Sequence, residues 1–344
     1  MPYSVVSAST RADLLAAIAT FASSNGWTVE YNVTGELGLS KLNCHVALSD
    51  GGTVSESDQI NGGTVTDGFI FGALGSSLTA SNHHYYGHPD SVVTTSGDSD
   101  RVTINDLAGP FSNVYLFTDS STSSTYIHVV VQSSTGRYTT FSFGNVNKMG
   151  FSHANVGYLI GCNYTWWNNY SNTASALFYP NNIAGIHGLW ILSRPTYNAY
   201  VPSGVLDTAL GFPSGVQMLG SATSNFLMSL LNTTQSMSAA VGSPLDHFHV
   251  SENEATTGGA PMWPLPCIYS VSDSSLRCML GMLPDICLFS MTGFSPVEVV
   301  AYGTENWQIF PFKSQGSHAN SNTGINPLAA VNTENFALAI KQVA

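Results

Sequence analysis

Charge is what this sequence has least of. Only 9% of its 344 residues are Asp, Glu, Lys or Arg, against about a quarter in an ordinary globular chain. Nine Lys and Arg face 21 Asp and Glu, for a net charge of −12, and no stretch gathers the basic residues into a patch. Affinity for nucleic-acid phosphates rests on clustered Lys and Arg, so direct binding to DNA or RNA is not expected. Cysteine is sparse too. Cys44, Cys162, Cys267, Cys278 and Cys287 make an odd number with no C-x-x-C spacing, which predicts free thiols rather than a disulfide framework or a zinc site. No apolar run is long enough to span a bilayer. The opening MPYSVVSASTRADLL lacks the basic segment and apolar core of a secretory signal, so neither membrane insertion nor export is expected.

Catalytic signatures are missing as well. There is no G-x-S-x-G elbow, no H-E-x-x-H, no P-loop and no G-x-G-x-x-G opening a helix. Acidic residues are so few that carboxylate pairs for glycan hydrolysis are scarce. No catalytic residue and no cofactor are assigned on this basis. The absence of heptads, of a Gly-X-Y period and of any internal repeat excludes a coiled-coil shaft, a collagen-like fibre and a solenoid.

What fills the chain instead is 43% hydrophobic residues together with Ser, Thr, Asn and Gly. That mixture can bury a core and still offer a neutral surface of hydroxyls and amides. Such groups pair across an interface without the desolvation penalty of buried ions. The aromatic and β-branched content suits strands, and the Gly, Asn and Ser content suits turns. The fold class expected is mainly β with an N-terminal helix, an antiparallel, sandwich-like architecture with long loops.

The helix is the clearest local signal. Thr10 stands as its cap with Asp13 three residues on, Leu14, Leu15, Ile18, Phe21 and Ala22 recur at helical spacing, and Asn25-Gly26 stops it. Trp27–Tyr31 then alternates as a strand. Residues 50–100 are rich in Gly, Ser, Thr and Asp and read mostly as loops, with short strands at 68–72 and 102–104. Next come NVYLFT at 113–118, YIHVVVQ at 126–132 and RYTTFSF at 137–143. Polar turns of hairpin length separate them, so they predict an antiparallel meander. In the third strand Tyr138, Thr140 and Ser142 face one way, and Thr139, Phe141 and Phe143 the other. A second helix is suggested at 222–231 by Phe226, Leu227, Leu230 and Leu231. Strands return at 267–271, 284–291, 297–302, 306–310 and 336–343. The organisation expected is an N-terminal helix and β domain over 1–160, a loop-rich insertion over 161–265 and a C-terminal β segment over 266–344 completing the fold.

Two histidine groups are the candidate metal ligands. His83, His84 and His88 lie beside Asp90, and His247 and His249 form an H-x-H pair near Glu252 and Glu254. Imidazole and carboxylate suit zinc or iron. The first group, irregularly spaced in a Gly- and Ser-rich stretch, reads first as an aromatic, polar loop at a subunit contact, where Tyr85 and Tyr86 would be at home. The second would need a ligand from elsewhere, such as another copy. Trp166, Trp167, Trp190, Trp263 and Trp307 fit either core and interface anchors or sugar-stacking platforms.

Four stretches carry a resemblance. They are ADLLAAIATFASSNGWTVEY at 12–31, YIHVVVQSSTGRYTTFSFGNVNKMG at 126–150, LGMLPDICLFSMTGFSPVEVVAYGTENWQIFPFKSQG at 280–316 and, more loosely, SNTGINPLAAV at 321–331. In this order they resemble an uncharacterised family of tailed-bacteriophage particle proteins. The resemblance implies a virion structural protein of the neck, collar, tail or baseplate, without catalytic residues. It would be made in the bacterial cytoplasm and would assemble with copies of itself and with other particle proteins. Two alternatives stay open: a host-recognition spike or fibre module binding surface glycan, and a virion-associated polysaccharide hydrolase.

Overall fold

The computed structural model describes residues 2–42, 44–57, 64–75, 102–104, 107–119, 125–134, 136, 138–145, 147–148, 158–162, 180–183, 186–195, 216–219, 227–229, 262–270, 277–290, 293–311 and 336–342. Over these the chain is mainly β, with one short helix near its N-terminus. None of the described helical residues forms a helix long and apolar enough to cross a membrane.

Helix α1 (Arg11–Ser24) starts and stops where local chemistry dictates. Thr10 is extended, its hydroxyl accepts from the Asp13 amide, and the Asp13 carboxylate accepts in return from the Thr10 amide. These two bonds satisfy amides that the first turn cannot. At the other end Gly26 turns at φ 78, and the buried Lys41 donates to the Asn25 carbonyl at 3.1 Å. A cation there offsets the negative end of the helix dipole. The predicted apolar face, Leu14, Leu15, Ile18, Phe21 and Ala22, is buried.

Five strands form one sheet in sequence order: β2 (Thr28–Val33), β3 (Glu36–Lys41), β4 (Cys44–Ser57), β5 (Thr64–Gly75) and β6 (Val102–Ile104). The strand at 102–104 lies as predicted. The long β4–β5 ladder, from His45↔Gly75 to Ser57↔Thr64, contains the strand predicted at 68–72 and corrects the loop reading of residues 50–57, 64–67 and 73–75. Its Gly, Ser and Asp have little intrinsic strand preference, so neighbours on the sheet decide. Arg11 ties the helix to this sheet. It bonds Asp50 at 2.5 Å and the Leu107 carbonyl at 3.1 Å.

The predicted meander is present as β7 (Phe111–Phe117), β8 (Tyr126–Ser133) and β9 (Tyr138–Asn145). An unpredicted strand, β1 (Tyr3–Ala8), pairs with β7. Val114 and Leu116, Ile127, Val129 and Val131, and Phe141 and Phe143 join the core under α1 and the five-stranded sheet. The opposite face meets the C-terminal strands. Phe310 lies 5.0 Å from the Tyr115 ring, 5.7 Å from Phe117 and 6.1 Å from Tyr138. The alternation predicted for 138–143 holds, and both of its faces are buried.

The pairing path runs on through short strands to the C-terminus. These are β10 (Asn147–Lys148), β11 (Tyr158–Cys162), β12 (Pro180–Ile183), β13 (Ile186–Pro195), β14 (Val216–Leu219), β15 (Leu227–Ser229) and β16 (Trp263–Ser270). Strands β17 (Arg277–Ser290), β18 (Val299–Tyr302), β19 (Glu305–Pro311) and β20 (Phe336–Gln342) follow. The helix suggested at 222–231 is corrected, because Leu227–Ser229 pairs with β13. A ladder partner decides what four apolar residues in a short run cannot. The β13–β14 pair is parallel, a departure from the all-antiparallel expectation. At the end of the path the order is β17-β20-β19-β18.

Candidate functional site

Strand β17 breaks register partway along. Against β16 the break falls between Met282 and Cys287, while on the opposite edge Gly281 and Met282 face β10 and Ile286–Ser290 face β20. Between the two runs come Leu283, Pro284 and Asp285, and Asp285 sits at φ 51. That left-handed conformation is uncommon outside glycine, although a short polar side chain eases it. Two residues of β8 hold this kink. They point to the same face because they are two apart on a strand.

His128 is fully buried, 1% exposed. Its Nε2 lies 2.7 Å from the Pro284 carbonyl oxygen and its Nδ1 2.7 Å from Ser142 Oγ. A carbonyl only accepts, so Nε2 carries the proton and the Ser142 hydroxyl donates to Nδ1. Burial pushes the imidazole down to about 4, against the weaker opposing effects of the Pro284 carbonyl and Asp285. The ring is therefore neutral at pH 7. Beside it Tyr126 stacks at a centroid distance of 4.7 Å and donates its hydroxyl to Asp285. Burial foremost, and then the Asp285 charge, raises the Tyr126 phenol. A close approach at Gly144 completes the support. At φ 124 it runs against the Thr125 backbone with no room for a Cβ.

Asp285 leads on to an ion network. Lys341 lies 3.7 Å from Asp285 and 2.5 Å from Glu305, and the Trp307 indole donates to Glu305 at 3.2 Å. The Lys341 hydrogen bond is the main cause that holds the Glu305 carboxyl below its ordinary range, and the same bond raises Lys341. Cys287 sits nearby, its thiol raised to about 12 by burial and then by the charges of Asp285 and Glu305.

The chemistry open to this arrangement is limited. Ser142 and His128 resemble a nucleophile and its base, but both are buried, and the second ring nitrogen is committed to Pro284. A serine nucleophile needs access to substrate and a base oriented by a third polar side chain. Asp285 and Glu305 resemble a glycosidase pair, but a lysine bridges them, and Glu305 is shifted away from the raised carboxyl that a general acid needs. What the residues do is lock the C-terminal strands onto the meander.

Among the sequence-level candidates, His83, His84, His88, His247 and His249 lie outside the described residues, as do Asp90, Glu252, Glu254, Trp166 and Trp167. Trp307 is buried in the small core of Phe289, Ile309, Ala337 and Ala339. Among the described residues no three His, Cys, Asp or Glu side chains converge as a metal site, and Cys44 and Cys287 are free thiols. Sequence reasoning passed over His128, Tyr126 and Asp285. The available signals were a histidine within the apolar run of the strand Tyr126–Ser133, and a Pro-Asp step inside a long one, Arg277–Ser290. No protein-family model matches the chain, and no curated protein matches it.

Proposed function

We propose that this chain is a structural component of a tailed-phage virion, a β-sandwich-like block that assembles as a symmetric homo-oligomer at the neck, collar, tail or baseplate. The reading begins from the sequence landmarks at 12–31, 126–150 and 280–316. The observation that carries it further is how the described polar residues are used. His128, Ser142, Tyr126, Asp285, Lys341 and Glu305 close the fold upon itself, joining residues up to 159 apart in sequence. This is the arrangement of a block whose task is to keep its shape. A surface poor in charge suits lasting contacts between such blocks.

Mass spectrometry of purified phage particles tests the proposal, with the chain quantified against the major capsid protein. A fixed ratio is expected, roughly a dozen copies or fewer for a ring at a symmetry axis. Absence from the particles would overturn it.

A further inference from the structure

A strand at the edge of a sheet offers unpaired amides and carbonyls to any other chain, and proteins usually blunt it with a bulge, a proline, a charge or shortness. Five of the six edges among the described strands are blunted in these ways. Strand β1 follows Pro2 and carries a register shift between Val6 and Ala8. Strand β2 shifts between Val29 and Tyr31 and bears Glu30. Strand β6 has three residues. Strand β10 has two, one of them Lys148, and β12 begins with Pro180.

Strand β18 is the exception. Val299, Val300, Ala301 and Tyr302 pair with β19 without a register shift and include no charge and no proline. Val299 is 45% exposed and Tyr302 59%. The entry to the strand is strained. The Glu298 amide bonds the Ser295 carbonyl at 3.2 Å across a turn with Pro296 and Val297 at its corners, and Val297 stands at φ 67. That second corner normally requires glycine or asparagine, and a β-branched residue there is a genuine outlier. Such strain persists where surrounding structure imposes it, often at functional surfaces.

The ladder also shows which peptide groups are free. Ile309 donates to the Glu298 carbonyl at 2.9 Å. Alternation then turns the peptide groups of Glu298, Val300 and Tyr302 towards β19 and those of Val299 and Ala301 outwards.

We infer that the outer edge of β18 is the self-assembly edge of this protein, pairing antiparallel with β18 of a second copy about a two-fold axis at Val300. This inference rests on the homo-oligomer reading above and names its contact. A two-fold axis perpendicular to a sheet keeps each side chain on its own face, so paired residue numbers must sum to an even value. Centring on Val300 satisfies this. It sets Val299 opposite Ala301 of the second copy, and these are the residues whose peptide groups face outwards. Glu298 then meets Tyr302 of the second copy, so no like charges face each other. A second copy is favoured as the occupant by charge. Chains of net charge −12 repel at most surfaces, and this uncharged edge lets them approach.

The test is sedimentation of the full chain over a range of concentrations, for the wild type and two variants, with a thermal melt of each. Val299→Lys places a charge on the edge. Ala301→Pro removes an amide that faces outwards, so the β18–β19 ladder keeps its bonds. The expected result is association of the wild type, lost in Val299→Lys with the melt unchanged. Ala301→Pro decides in the same way should the lysine variant fail to fold. A wild type that stays monomeric, or a folded variant that associates like the wild type, overturns the inference. Particle mass spectrometry separates the two proposals. A chain present in particles whose association ignores β18 sinks only the edge, whereas a chain that associates through β18 but is absent from particles sinks only the virion reading.

Discussion

The imidazole of His128 donates to the main-chain carbonyl of Pro284, 2.7 Å away in space and 156 residues further along the chain. One neutral side chain thus fastens the kink of β17 to the middle of the meander. Its neutrality makes the fastening sensitive to acid. The unfolded imidazole titrates near 6.5 and the folded one near 4. Between those values the unfolded state binds the extra proton, so stability falls as pH is lowered through this window and levels off below it. The expected loss is on the order of 3 kcal/mol. Urea unfolding from pH 7 to pH 4 measures it, and His128→Gln is expected to flatten this part of the profile.

Tyr126 and Asp285 form the second fastening, and their coupling is measurable. Tyr126→Phe removes a hydrogen bond to a charged group, at an expected cost of roughly 1.5–3 kcal/mol. Asp285→Asn keeps a residue that tolerates positive φ while discharging the site. In a double-mutant cycle the pair is expected to be non-additive. Strict additivity would mean that the hydroxyl and the carboxylate act independently.

Phe310 is fully buried where β19 faces Tyr115, Phe117 and Tyr138. Phe310→Ala opens a cavity between the layers and is expected to cost about 3–5 kcal/mol. Denaturant unfolding gives the loss, and near-ultraviolet circular dichroism reports on the tyrosines around the ring. A change below about 1 kcal/mol would contradict the packing of β19 on the meander.

The thiols provide a probe of burial that leaves the fold intact. Desolvation raises both Cys44 and Cys287, and the thiolate is the reactive form. Iodoacetamide at pH 8, followed by peptide mapping, is expected to leave these two unlabelled in the native chain and to label them after denaturation. Rapid native labelling of Cys44 would contradict its place in the core that the helix, the five-stranded sheet and the meander share.

By itself the sequence determined the elements whose cause is local. Thr10, Asp13 and Gly26 bound the helix through bonds within a few residues, and the strands of the meander alternate and turn by rules that need no distant partner. Burial of the helix face and the register of Tyr138 to Phe143 follow from the same periodicities. The tertiary structure decided what depends on neighbours. The ladder between β4 and β5 runs through Gly, Ser and Asp residues of weak strand preference, and the run at Leu227–Ser229 is a strand because β13 pairs with it. That both faces of the meander are covered is likewise a matter of packing, since alternation separates two faces without saying what covers either. Periodicity also has no means of pairing His128 with Pro284 or Tyr126 with Asp285. A hydrogen bond between residues more than 150 positions apart exists only once the layers have closed and water has been excluded from the seam.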